Sequence, residues 1–164
     1  MARDADITHD QEDDDAGECL LVDQVVAFYL GGQRYALPID RVQEIQQIVA
    51  LSEVPEIDEA VIGMVNLRGE VIPAVDVRRL IGLAPEPYTL ETPMVICRYR
   101  DRLAALVVDG VQDVIGLPEG CMQEAPALHA LSAKMIGVAR LPDGLAYLLD
   151  LDKLLAPVIG REVA

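Results

Sequence analysis

The sequence has no tryptophan, a single phenylalanine and five tyrosines, so aromatic residues make up only 4% of it. Bases and sugars are held on aromatic platforms, and this chain has little to build one from. Cations are scarce as well: 13 Lys and Arg stand against 28 Asp and Glu, a formal charge of −15. A phosphate backbone needs a basic face, which excludes nucleic acid as a partner. Histidine occurs only at His9 and His129, neither with a Ser or Cys in a triad setting. Cys19, Cys97 and Cys121 are widely spaced, with no Cys-x-x-Cys or Cys/His zinc pattern. Cys97 lies in an apolar run and reads as a small core residue. No Gly-x-x-x-x-Gly-Lys phosphate loop and no dinucleotide fingerprint occurs. Neither metal nor cofactor is expected. No apolar run reaches the roughly 18 residues of a membrane span, and no basic segment leads into an apolar stretch at the start. Free thiols and these two absences together lead to the expectation of a cytoplasmic chain.

What the sequence does have is apolar residues, 52% of its 164 positions, enough for a packed globule. The organising stretch is Val61 to Ile81. Two β-branched runs flank Asn66-Leu67-Arg68-Gly69-Glu70 and read as a hairpin. Gly69 gives the turn its backbone freedom, and Arg68 is held beside it with its planar fork of donors. Asp76 closes the second strand, and Val77 to Ile81 reads as a short helical turn.

The pattern returns over residues 135–155, where an offset of 74 aligns Gly63 with Gly137, Asp76 with Asp150 and Leu80 with Leu154. An earlier segment, Leu37 to Ile45, echoes Leu106 to Val114 at an offset of 69. Two segments repeated in the same order point to two copies of one β-rich unit, near 24–82 and 93–156. A unit of about 60 residues is marginal alone, so the two gain by sharing a core.

Ahead of the first copy, residues 1–23 hold nine acids against Arg3, and the expectation there is a disordered acidic tail. Within the first copy, strands are expected over 25–30 and 35–39, then a short helix from Arg41 to Gln47 capped by Asp40. Val42 and Ile45 would share one face of that helix, with Glu44 turned to meet a cation. Ile48 to Val54 reads as an extended apolar crossing ended by Pro55. Gly82, Pro85, Pro87 and Pro93 mark a linker. The second copy is expected to bring strands over 94–99 and 103–108, a helical turn over 111–115, an irregular stretch over 117–126 and a helical turn within 127–134. Pro157 is expected to stop the final element, leaving 157–164 as a tail.

Two polar constellations stand out. Asp76 and Asp150 fall at matching positions, and paired aspartates could share a proton in an aspartyl-type hydrolase. Their flanks are bulky, Val75 and Val77, Leu149 and Leu151, so the plainer reading is that each caps the helix after it. Glu44 and Arg68 each sit in an apolar setting where a lone charge is costly. They are expected to pair. The second copy keeps an acid at Asp113 but has Pro142 opposite Arg68, so the pair belongs to the first copy only.

Residues 24–156 resemble the CheW-like family of chemotaxis coupling proteins. The resemblance rests on Val42-Gln43-Glu44-Ile45, Asn66-Leu67-Arg68-Gly69, Val71-Ile72-Pro73, Val107-Val108-Asp109-Gly110-Val111 and Leu149-Asp150-Leu151-Asp152-Lys153-Leu154-Leu155. It implies a mostly β fold of two five-stranded SH3-like barrels on a shared core. It also implies a non-enzymatic scaffold between chemoreceptor tips and a CheA-type histidine kinase, located in the cytoplasm at membrane-associated receptor arrays. By position it places Val42, Gly63, Arg68 and Met94 at the receptor surface, Glu44 as the brace of Arg68, and Leu51 and Ser52 at the kinase surface.

Overall fold

The computed structural model describes residues 23–48, 59–125, 127 and 131–159. The chain is mostly β, as expected. Its strands are β1 (Gln24–Leu30), β2 (Gln33–Pro38), β3 (Val42–Gln47), β4 (Val61–Leu67), β5 (Glu70–Asp76), β6 (Pro93–Tyr99), β7 (Arg102–Val107), β8 (Gly110–Gly116), β9 (Met122–Gln123), β10 (Met135–Leu141) and β11 (Gly144–Leu149). Two helices, α1 (Val77–Leu80) and α2 (Leu151–Ile159), follow β5 and β11.

The strands form two sheets, ordered β8-β1-β2-β11-β10-β9 and β3-β6-β7-β5-β4. Leaving aside the two-residue β9, the orders are the same once the repeat is applied: β3 matches β8, β1 matches β6, β2 matches β7, β4 matches β10 and β5 matches β11. The two hairpins that open the copies have changed places. β1–β2 from the first copy completes the sheet of the second, and β6–β7 from the second completes that of the first. Each exchange is sealed by a parallel ladder, Leu148 opposite Ala36 and Ala74 opposite Ala105. The offsets of 74 and 69 carry one ladder onto the other.

Alternation along the exchanged strands divides the core. On β6 and β7, Val95, Cys97, Tyr99, Ala104 and Leu106 face the core shared by both sheets. Met94, Ile96, Ala105 and Val107 face the interior of their own sheet with Ile72. Both faces are buried, which is why these strands read as unbroken apolar runs. Phe28 and Leu37 meet the shared core from the other sheet, and Leu151, Leu154 and Leu155 of α2 close it. Burial pushes the Cys97 thiol up to about 12, in keeping with a core residue.

Two expected helices are strands. Val42–Gln47 follows a 3-10 turn, Ile39–Arg41, and pairs with β6. Its repeat equivalent, Gly110–Gly116, pairs with β1. Both run along sheet edges, where a β-bulge breaks strict alternation: the β3 register shifts between Val42 and Glu44. Pro157 lies inside α2 rather than ending it. The linker is anchored, not free. Arg78 donates to the Ala84 carbonyl at 2.9 Å and to Asp109 at 2.5 Å, and the Tyr88 hydroxyl donates to Asp76. Within the stretch read as irregular, Met122–Gln123 forms β9 against β10.

Candidate functional site

β4 and β5 meet in a two-residue turn, with φ of 52° at Arg68 and 90° at Gly69. Two successive positive φ values give the tight turn whose twist suits a hairpin, and Gly69 takes the more open of them without strain. The Asn66 side chain fixes the turn by accepting from the Gly69 N–H at 2.9 Å. Arg68 is thereby projected from one edge of its sheet, and it reaches the other edge. Its two terminal nitrogens donate to both carboxylate oxygens of Glu44 on β3, at 2.5 and 2.7 Å. β3 and β4 are the outermost strands of the five-stranded sheet. The expected ion pair is therefore the tie across the seam of the first barrel.

The geometry is fork to fork, the strongest form of charge-assisted hydrogen bond. Gln46 adds a donor to Glu44 at 3.1 Å. Hydrogen bonds from Arg68, then from Gln46, hold the Glu44 carboxyl down at about 2. The Arg68 side chain is 65% exposed and that of Glu44 23%. One face of the guanidinium is thus committed to the seam while the rest is open to solvent.

The other site residues distribute around this seam. Val42 begins β3, half-buried, and packs against the shared core. Gly63 lies on β4 at a bulge in the ladder with β5. Its repeat equivalent, Gly137, also sits at a bulge, where a Cβ would come within 2.8 Å of the Gln123 carbonyl. Met94 is on β6 opposite Gln46 and is fully buried. Its side chain packs inside the first barrel with Ile72 and Ile96 and offers no atom to a surface groove. Leu51, Ser52 and His129 lie outside the described residues, as do the acidic segment 1–22 and, beyond Ile48, the expected crossing from Ile48 to Val54.

The matched aspartates each do a local job. Asp76 accepts from the Arg78 N–H at 3.0 Å and Asp150 from the Lys153 N–H at 3.2 Å, so each caps the helix after its strand. Their own backbone N–H groups bond to Ala60 and Lys134, again 74 residues apart. Nothing in this arrangement brings the two carboxyls into a proton-sharing dyad.

One important residue went unnoticed in the sequence. Arg34 on β2 is 9% exposed and donates to Gln112 at 3.3 Å, to both Asp143 oxygens at 3.2 and 2.9 Å, and through Nε to the Leu145 carbonyl at 3.3 Å. It ties β8 to the β10–β11 turn in the second barrel, which has no counterpart of the Glu44–Arg68 pair. The bonds also hold the Asp143 carboxyl below its ordinary range. Its partners stand far off in the chain, and no local pattern announces them. Similarly, Arg41 joins the start of β3 to α2 through Asp152 at 2.8 Å.

A model of the CheW-like domain matches residues 24–158. The chain is 32% identical over 104 residues to the chemotaxis protein CheW of Bacillus subtilis, covering 63% of this chain and 67% of that one. It is 28% identical over 135 residues to CheW of Klebsiella aerogenes, covering 81% of each. The scaffolding protein TtCheW from Thermoanaerobacter tengcongensis superposes with a TM-score of 0.76 at 27% identity, covering 82% of this chain and 93% of that one.

Proposed function

The chain belongs to the CheW-like domain family, and from that membership we propose that it is a chemotaxis scaffold coupling chemoreceptor tips to a CheA-type histidine kinase. It works by holding surfaces in place rather than by chemistry. The observation that carries this reading is the bidentate Glu44–Arg68 pair across the barrel seam. A guanidinium fixed on one side and open on the other is a preorganised contact, which loses little freedom when a partner arrives. Val42 and Gly63 flank it on the two edge strands, and these three residues form the proposed receptor surface. Met94 supports it from beneath through packing. Leu51 and Ser52 are proposed to face the kinase. Among the described residues no helix is long and apolar enough to cross a membrane, and the proposed location is the cytoplasm, on arrays organised by membrane receptors.

The test is a pair of variants read against both partners. Arg68→Ala weakens binding to the receptor signalling segment and leaves kinase binding intact. Leu51→Asp does the reverse. Loss of a central apolar anchor costs about 2 kcal/mol or more, over tenfold in affinity. Unchanged kinase affinity in Leu51→Asp removes Leu51 and Ser52 from the kinase surface. Equal loss of both partners in Arg68→Ala reduces Arg68 to a structural brace.

A further inference from the structure

The linker between the copies is a built surface rather than a tether. After α1 it crosses from the end of β5 to the start of β6, passing the end of β7, which lies between them in the sheet. Its near end is pinned where Arg78 donates to the Ala84 carbonyl at 2.9 Å and the Tyr88 hydroxyl donates to the buried Asp76. Its far end is pinned where the Thr92 carbonyl accepts from the Ile48 N–H at 2.7 Å. Between these anchors residues 89–92 close a turn on themselves. The Thr92 N–H donates to the Thr89 carbonyl at 3.1 Å, the Thr89 N–H to the Thr92 hydroxyl at 2.8 Å and the Glu91 N–H to the Thr89 hydroxyl at 3.1 Å.

Leu90 stands second in this turn and is 83% exposed, the most exposed large apolar side chain among the described residues. A lone exposed leucine means little by itself, because folded surfaces carry many. This one is mounted on a backbone that three hydrogen bonds and two flanking anchors hold still. The turn closes through threonines, so nothing in its own bonding calls for an apolar side chain at that place. An anchor fixed before its partner arrives loses little freedom on binding. The linker also has a charge of one sign. Residues 83–92 hold Glu86 and Glu91 and no Lys or Arg, and Glu91 is exposed next to Leu90. The surface that fits this turn is an apolar socket with a basic rim.

Position in the barrel selects the partner. The Arg68 turn lies at the start of β5 and the linker at its end, about 20 Å away along the seven residues of the strand. The end of the barrel that holds the proposed receptor contact is therefore not the end that holds Leu90. Ile48, bonded to Thr92, is the last described residue before the segment with Leu51 and Ser52, for which the kinase surface is proposed. We propose that Leu90, on the 89–92 turn, is an apolar anchor for the kinase, with Glu91 paired to a Lys or Arg on the rim of the kinase's socket. This rests on the reading of the chain as a coupler of receptor and kinase, and it extends the kinase surface onto the linker. Two partners held at opposite ends of one barrel do not compete for it.

The experiment measures, by titration calorimetry, the affinity of the full chain for a purified full-length CheA-type kinase of the same organism and for a receptor signalling segment. Leu90→Asp lowers kinase affinity more than tenfold and leaves receptor affinity and the thermal midpoint unchanged. Leu90→Met keeps the wild-type kinase affinity. Glu91→Lys weakens kinase binding and reduces its dependence on salt. Wild-type kinase affinity in Leu90→Asp overturns the proposal, and loss of kinase binding in Leu51→Asp alongside it would leave the coupling function standing. A wild-type chain that binds no kinase overturns both together. Equal loss of receptor and kinase in Leu90→Asp also overturns the proposal, because it would place the effect in the fold rather than at a contact.

Discussion

Protonating Glu44 should open the seam of the first barrel, and the pH at which this happens follows from the geometry. Both oxygens of Glu44 accept from Arg68, and one accepts again from Gln46. These bonds require the ionised form, and they bring the carboxyl from 4.5 down to about 2. At pH 4.5 a free glutamic acid is half protonated, while a group titrating at 2 is protonated to only about 0.3%. Because the folded value is depressed, the stabilisation is fully present above pH 4.5. It declines as the pH falls and is gone below about 2. The assay is a carbon-detected NMR titration of the Glu44 carboxyl in the wild type and in Arg68→Met. The wild type should titrate near 2, and the variant should move up toward the ordinary glutamate range. The acid limb should flatten in salt much less than that of a free surface pair, since the contact is direct and bidentate. A wild-type midpoint near 4.5 would refute the reasoning, because it would mean the two edges are not tied in solution.

Leu106→Ala, at a fully buried position in the shared core, should cost about 2–5 kcal/mol in one cooperative denaturant transition, and two separate transitions would show that the barrels do not share a core. Met94→Ala should cost a similar amount, whereas Met94→Leu should stay within about 1.5 kcal/mol and retain receptor binding in a pull-down. Deleting residues 1–22 should leave the thermal midpoint nearly unchanged, because that acidic stretch has few apolar groups to bury; a large drop by calorimetry would show that it packs.

The sequence announces what is local and repeated. The Arg68 hairpin, the aspartate caps and the twofold duplication are readable because each signal falls within a few residues or recurs at a fixed offset. Edge strands are less readable. Val42 and Ile45 are three apart and suggest a helix face, yet Val42 turns toward the core and Ile45 stands 43% exposed. A bulge and a run of glutamines hide the alternation that would mark a strand. The exchange of hairpins leaves no sequence trace, since β1–β2 pairs within itself identically whichever sheet it joins. Arg34 and Tyr88 were missed for a related reason. Their value lies in Asp143 and Asp76, which only the completed fold brings near.

The exchanged hairpins also set the order in which the molecule can be finished. β1 and β2 are synthesised before the other strands of this fold, carrying Phe28, Leu30 and Leu37. Their sheet partners are β8, more than halfway along, and β11, close to the end of the chain. Until then the opening hairpin has two apolar faces and no neighbours. Contacts of such long sequence separation slow folding and prolong the exposure of unpaired strands. The acidic residues ahead of β1 travel with that hairpin throughout the wait. A second chain at the same stage holds an incomplete sheet that the first could fill, and like charge on the two acidic segments opposes that approach.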